Sequence, residues 1–215
     1  MLPVELGLLS DPDLEDAWHL KHIDKRLMEL EMIGSEKQGR GPIVVALDSS
    51  ASMSDQLGSH VTKEAWSKAV ALALLAIARK QRRDVAILHF SGSSQLNTFQ
   101  FREGRATPSE LIATTEWFFA GGTVYDEWIA ETLRLVDASR FDRADVVCLS
   151  DGEVSVSPTL ELEWNRRRLA RGMRCYSVLL GDDTGATTLA RVSDALVTLA
   201  DLTDDDFAVR MLFAI

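Results

Sequence analysis

Three oxygen-bearing side chains leave one aliphatic run at alternate positions. After Ile43 to Leu47 the sequence continues Asp48-Ser49-Ser50-Ala51-Ser52. An uninterrupted apolar run of this kind is expected in a central parallel strand, buried on both faces. Asp48 then stands at the strand's carboxyl end. In an extended loop Ser50 and Ser52 fall on the same side as Asp48, because side chains alternate with a period of two. Two other segments carry matching chemistry. In AGGTVYDEW, the pair Gly121-Gly122 lets backbone approach closely and Thr123 sits just before a helix; in CLSDGE, Asp151 ends a second buried run as Asp48 ends the first. Loops at the carboxyl ends of parallel strands converge on the ligand crevice of such folds, so two carboxylates and three hydroxyls meet at one edge. Five hard oxygen donors, with no His or Cys cluster, favour an oxygen-loving, near-octahedral cation: Mg²⁺ first, Mn²⁺ acceptable, zinc not. Two acids cannot enclose Mg²⁺ alone. A coordination position stays open to water or to a partner's carboxylate, which makes the metal a docking point.

The elements that must position these residues alternate in type. Residues 43–47 read as a strand and 63–81 as a helix nearly apolar on all sides, hence buried. Residues 84–90 form a second strand, 95–101 a half-exposed one, and 107–119 a helix opened by a cap and a proline. A helix from Asp126, a buried strand ending at Asp151, a helix ending at Gly172 and a strand from Met173 follow. A short helix, a short strand over 196–200 and a last helix over 204–213 complete the series. This order predicts an α/β fold with a doubly wound, mostly parallel sheet and helices on both faces. Upstream, the sequence from Ser10 has a cap, Pro12 and early acids, and Leu20, Ile23, Leu27 and Leu30 make one apolar stripe on a charged helix. Gly34 to Pro42 is polar and glycine-rich, a linker. The expected organisation is a helical extension and linker over 1–40 and one domain over 41–215.

Composition narrows the partners. With 23 Lys and Arg against 33 Asp and Glu, the formal charge of -10 repels phosphate backbones and anionic lipid. No window approaches the ~18 uncharged apolar residues of a membrane span, and the first residues lack the basic start and cleavage site of a signal peptide. Cys148 and Cys175 each lie inside an apolar run and read as buried, inert thiols, consistent with a reducing cytoplasm.

Taken together, Asp48-x-Ser50-x-Ser52, Thr123 after a glycine pair and Asp151 in a strand-end Ser-Asp-Gly resemble the metal-ion-dependent adhesion site of von Willebrand factor A (VWA) domains, in order, spacing and strand context over roughly residues 41–215. The resemblance implies Ser50, Ser52 and Thr123 as inner metal ligands, and Asp48 and Asp151 as inner or water-mediated ones. The commonest form of the motif has glycine where this chain has Ala51. The lead-in, with its acidic helix and Gly39-Arg40-Gly41-Pro42, is similar to bacterial ViaA-like VWA proteins, which work with MoxR-type AAA+ ATPases. Those usually carry a larger helical region upstream. About 40 residues precede the site here, as expected of a truncated or short relative. The resemblance implies a non-enzymatic, Mg²⁺-dependent protein-interaction module, an adaptor between such an ATPase and its client.

Other readings remain open beside this one. A strand-end Asp with Mg²⁺ in an α/β fold also builds aspartyl-phosphate phosphohydrolases; against that, Ser50 stands where such enzymes often place a second acid, no lysine stands at a comparable strand end, and no P-loop occurs. A VWA subunit of a metal chelatase would differ in partner rather than mechanism. The stretch from Ser49 to Ser54 is also ordinary turn chemistry. Asp126 reads as a helix N-terminal acid and Glu153 as a solvated loop acid that flank the site. His19 and His22 lack a third ligand, and His89 reads as a satisfied core residue. Any exposed member of Trp117-Phe118-Phe119 is a candidate partner contact. Arg166, Arg167, Arg168 and Arg171 read as the solvated face and last turn of a helix.

Overall fold

The computed structural model describes residues 41–57, 61–138, 140–152, 156–181 and 186–198. The upstream helix, the linker up to Arg40, His19, His22, Glu153 and the last helix over 204–213 lie outside these residues. The domain division at residue 40 does so as well.

Six strands form the main sheet: β1 (Ile43–Asp48), β4 (Val85–Phe90), β5 (Leu96–Phe101), β6 (Asp145–Ser150), β7 (Arg174–Leu179) and β8 (Ala195–Thr198). Their spatial order is β5-β4-β1-β6-β7-β8, parallel throughout except for the antiparallel edge pair β4 and β5. The expected doubly wound α/β architecture is the observed one. β1 lies centrally between β4 and β6, so the chain departs from it toward one side first and returns on the other. That reversal is the switch point at which loops splay apart.

Strand pleating divides the core in two. Ile43, Val45 and Leu47 of β1 pack with α1 (Lys63–Gln81) on one face, whereas Val44 and Ala46 belong to the cluster formed with α3 (Tyr125–Asp137), α4 (Pro158–Ala170) and α5 (Ala186–Val192) on the other. α1 departs from expectation. Only Ser67, Val70, Ala71, Leu74, Leu75 and Ala78 are buried, and Ala65, Ala69 and Ala76 are exposed. Alanine fits water and core alike, so an alanine-rich helix looks apolar all round while docking on one stripe.

Local sequence explains the helix ends. Thr62 caps α1 by accepting from the Ala65 N–H at 3.1 Å. Thr107 and Glu110 form a reciprocal capping box with Pro108 in the first turn of α2 (Pro108–Glu116). α2 stops before Trp117, short of the expected 119, and Trp117 is extended with φ -69 and ψ 125. α4 closes before Gly172, whose φ of 61 lies in the left-handed region. A two-residue ribbon absent from the sequence expectation, β2 (Gln56–Leu57) antiparallel to β3 (Val61–Thr62), leads into α1. Strands that short carry no periodicity.

Candidate metal site at the carboxyl edge

β1 and β6 are neighbours in register, with Leu47 beside Leu149, so the residues that follow them, Asp48 and Ser150, must meet. Asp48 is buried and both its oxygens are occupied. Oδ1 accepts the Ser50 backbone N–H at 2.9 Å and Oδ2 accepts the Ser150 hydroxyl at 2.5 Å. Ser150 Oγ in turn accepts from the Tyr125 hydroxyl at 2.8 Å and from the Gly152 N–H at 3.1 Å. This relay orients Asp48 from behind. Desolvation pushes the Asp48 carboxyl up to about 6 from 3.8, with the nearby Asp151 carboxylate adding to the rise and hydrogen bonds from Ser150 and Ser50 opposing it. Every donor to Asp48 is neutral.

Ser50 and Ser52 converge, with their hydroxyl oxygens 3.1 Å apart. They do so through a bend rather than the expected extended alternation. Ser50 is extended, but Ala51–Ser54 is a 3₁₀ turn in which the Met53 N–H donates to the Ser50 carbonyl at 3.1 Å. Fully buried Met53 pins that turn into the α1-side core. Ala51 is not among the residues with positive φ, so a glycine there is not required.

The glycine loop is stitched to this turn. Ser50 and Gly121 form a parallel bridge, the Ala51 N–H donates to the Gly121 carbonyl at 2.9 Å, and the Ala120 N–H donates to the Ser49 carbonyl at 2.9 Å. A Cβ on Gly121 would stand 2.2 Å from Gln95 Oε1 and 2.9 Å from Ser91 Oγ, whereas one on Gly122 would meet nothing within 4 Å. Close approach therefore demands only the first glycine. Half-buried Thr123 follows two residues later, and no hydrogen bond joins it to the other four candidate ligands. Asp48, Ser50, Ser52 and Asp151 are brought to one edge by the contacts and charge coupling above, with Thr123 in the loop that pairs with them.

Asp151 is buried, at 4% exposure. Its Oδ2 accepts from Lys63 Nζ at 3.0 Å, while Oδ1 is buried without a hydrogen-bond partner. Lys63 stands at the first position of α1, not at a strand end, and still reaches this edge, so the lack of a strand-end lysine does not count against the phosphohydrolase reading. Also missed were Ser150 and Tyr125; the parallel register of two aliphatic runs ending in Asp48 and Ser150 was the available signal for the first. Among the described residues no group of three or more His, Cys, Asp or Glu is placed to hold a metal. A cation here must take hydroxyl ligands, as the donor set supplies. An orphaned buried carboxylate oxygen, a convergent hydroxyl pair and a desolvated second carboxylate fit a hard divalent cation.

Flanking residues resolve more simply. Asp126 Oδ1 accepts from the Ser157 N–H at 3.0 Å, before α4. His89 is buried, as expected, but only partly satisfied: Nδ1 lies 3.3 Å from Ser49 Oγ and Nε2 has no partner. Desolvation, then the charge of Lys68, lowers its pKa to about 3. Trp117 is the exposed aromatic, in edge-to-face contact with Phe99 and Phe119. The arginines of α4 are paired: Arg166 with Glu163, Arg167 with Asp137, Arg171 with Asp142. Arg168 is buried against Asp194, not solvated. Cys148 and Cys175 are free, buried thiols, and burial raises both, Cys175 to about 12.

No family model matches the chain. Among curated proteins it is 26% identical over 207 residues to an uncharacterized protein of Methanocaldococcus jannaschii, covering 96% of this chain and 45% of that protein. It is 29% identical over 167 residues to the regulatory protein ViaA of Edwardsiella ictaluri, covering 70% of this chain and 33% of ViaA. The chain thus spans less than half the length of either relative. Among solved structures, a von Willebrand factor type A protein from Catenulispora acidiphila superposes with a TM-score of 0.54 at 17% identity over 81% of this chain and 42% of that one. The VWA domain of SpRpn10 gives 0.54 at 10% identity over 74% of this chain and 88% of that one. The described residues have the fold of a VWA-type domain, with ViaA regulatory proteins among its distant relatives.

Proposed function

We propose that this chain is a Mg²⁺-dependent, non-enzymatic protein-interaction module whose metal is held by Asp48, Ser50, Ser52, Thr123 and Asp151, with Mn²⁺ able to substitute. The observation that carries this reading is Asp151 Oδ1, a carboxylate oxygen buried without a partner at the edge where two serine hydroxyls converge. An unpaired buried acceptor costs roughly 1–3 kcal/mol, and a bound cation relieves that cost. When bound, the ion supplies an open coordination position for a Glu or Asp of the partner. Asp48, held by Ser50 and Ser150, fixes the negative charge; Ser50 and Ser52 supply hydroxyl donors from a turn anchored by Met53.

The likeness to the regulatory protein ViaA supports a protein partner, and the similarity of the lead-in to ViaA-like proteins makes a MoxR-type AAA+ ATPase the partner of this reading. In this reading the module is an adaptor that links the ATPase to its client in the cytoplasm. Among the described residues no helix is long and apolar enough to cross a membrane. Aspartyl-phosphate chemistry is disfavoured because Ser50 stands where such enzymes often place a second acid two residues after the nucleophile.

Calorimetry with Mg²⁺ and Mn²⁺ on this chain and on Asp48→Ala tests the site. Binding by the wild type and none by the variant is expected; equal binding by both would remove Asp48 from the site. Release of the cognate ATPase by EDTA tests the adaptor role, and a phosphoester turned over with Mg²⁺ would favour the enzyme instead.

A further inference from the structure

Lys63 occupies an electrostatically unfavourable place. It is the first residue of α1, where the exposed N–H groups and the helix dipole favour negative charge. Its ammonium nevertheless turns inward, lying 3.0 Å from Asp151 Oδ2 and 3.9 Å from Asp55 Oδ2, with its side chain only 15% exposed. Its backbone N–H donates to the Asp55 carbonyl at 3.0 Å, which closes the β2-β3 ribbon. Lys63 is therefore fixed by its main chain independently of what its amine does. Asp151 is engaged on one oxygen only. The other, Oδ1, remains buried and without a partner.

We propose that Lys63 is a built-in competitor for the divalent cation: its ammonium holds Asp151 in the metal-free protein and lowers the site's affinity for metal. The inference rests on the metal-site reading above. Two carboxylates, Asp48 and Asp151, would present a charge of -2 to an incoming ion; the Lys63 ammonium in contact with Asp151 offsets one of those charges, its other neighbour, Asp55, being exposed and farther away. Charge interactions at a few ångströms in a partly buried site are large, and a fixed ammonium must be displaced or tolerated by any cation that ligates the same carboxylate. The residue thereby keeps the site weak in isolation, so that a partner's acid, by adding a negative charge, contributes a larger share of the binding.

Mn²⁺ and Mg²⁺ titrations of the wild type, Lys63→Met and Lys63→Arg test this, with unfolding curves run alongside. Lys63→Met removes the charge and keeps the length; Lys63→Arg keeps the charge. The expected result is metal affinity about tenfold or more tighter in Lys63→Met and close to wild type in Lys63→Arg. Unchanged or weaker affinity in Lys63→Met would overturn the inference while leaving the metal site intact, and no binding by any of the three would overturn both. A second measurement reads the wild type directly. After reductive ¹³C-methylation, the Lys63 signal, assigned by its absence in Lys63→Arg, is expected to shift as Mg²⁺ fills the site. Mg²⁺ binding seen by calorimetry with that signal unmoved would overturn the proposal.

Discussion

The two ends of β6 hold the same residue type under opposite conditions. Asp145 begins the strand and is met by two guanidinium groups, Arg83 on Oδ2 and Arg174 on Oδ1, with Arg83 and Asp145 both buried. Its neighbour at that edge, Asp84, is held likewise, by the Glu103 N–H at 2.8 Å and by Arg140 at 2.9 Å. Six residues later Asp151 follows the strand with one oxygen on a lysine and one on nothing, beside an Asp48 that has only neutral donors. Both edges bury acids. The amino edge meets each of its acids with a guanidinium, whereas the carboxyl edge sets one ammonium against two acids and keeps a net negative charge, as the proposed cation site requires.

The contrast is broken most forcefully at the amino edge. Asp145→Asn removes the carboxylate that Arg83 and Arg174 share, in a pair whose Arg83 and Asp145 members are both buried. Deleting one partner of a buried ion pair costs about 3–5 kcal/mol. The urea midpoint should fall accordingly, with metal affinity unchanged in the folded protein. A loss under about 1 kcal/mol would mean that the amino edge is as loosely balanced as the other.

At the carboxyl edge the corresponding change should act in the opposite direction. Asp48 titrates at about 6 in the fold and at 3.8 ordinarily. A carboxyl whose folded pKa is raised binds its proton more tightly when folded, so the metal-free wild type gains stability as pH falls from above 6 toward 4 and is penalised above that window. Asp48→Asn removes the penalised charge. In EDTA near neutral pH it should therefore be more stable by about 1–3 kcal/mol, the advantage shrinking as pH falls to about 4. Metal binding should vanish in the same variant. Thermal unfolding at several pH values reads the first outcome and calorimetry the second; a destabilised Asp48→Asn would contradict the assignment of this edge to function.

Much of this was legible in sequence because its signals are local. Uninterrupted aliphatic runs announced the parallel strands, and the position of Asp48 and Asp151 at the ends of two such runs is enough to place them on one edge. Thr107 and Pro108 spelled out the start of α2, and Gly172 the end of α4. What escaped depends on contacts between distant segments. Ser150 matters because it lies opposite Asp48 across two strands, and Lys63 because the α1 start is aimed at a residue 88 positions away. Neither has a local signature. The one-sided burial of α1 was hidden by alanine, and the convergence of Ser50 and Ser52 arises from a 3₁₀ turn pinned by Met53, not from the strand-like alternation that the spacing suggests.

That turn allows the finest separation of the two edges. If the carboxyl edge stores its cost in charge and not in backbone, then relaxing its backbone should gain nothing. Ala51 is exposed, has no positive φ and donates its N–H to Gly121. Glycine at this position, as in the commoner form of the motif, would enlarge the unfolded ensemble without relieving any native strain, and should cost about 0.4–1 kcal/mol. Metal affinity should stay within about twofold, since the Ser50 and Ser52 hydroxyls are positioned by the Gly121 bridge and by buried Met53. Denaturant unfolding of Ala51→Gly with a parallel Mn²⁺ titration reads both. A gain in stability would place strain in the turn itself, and the carboxyl edge would then differ from the amino edge in backbone as well as in charge.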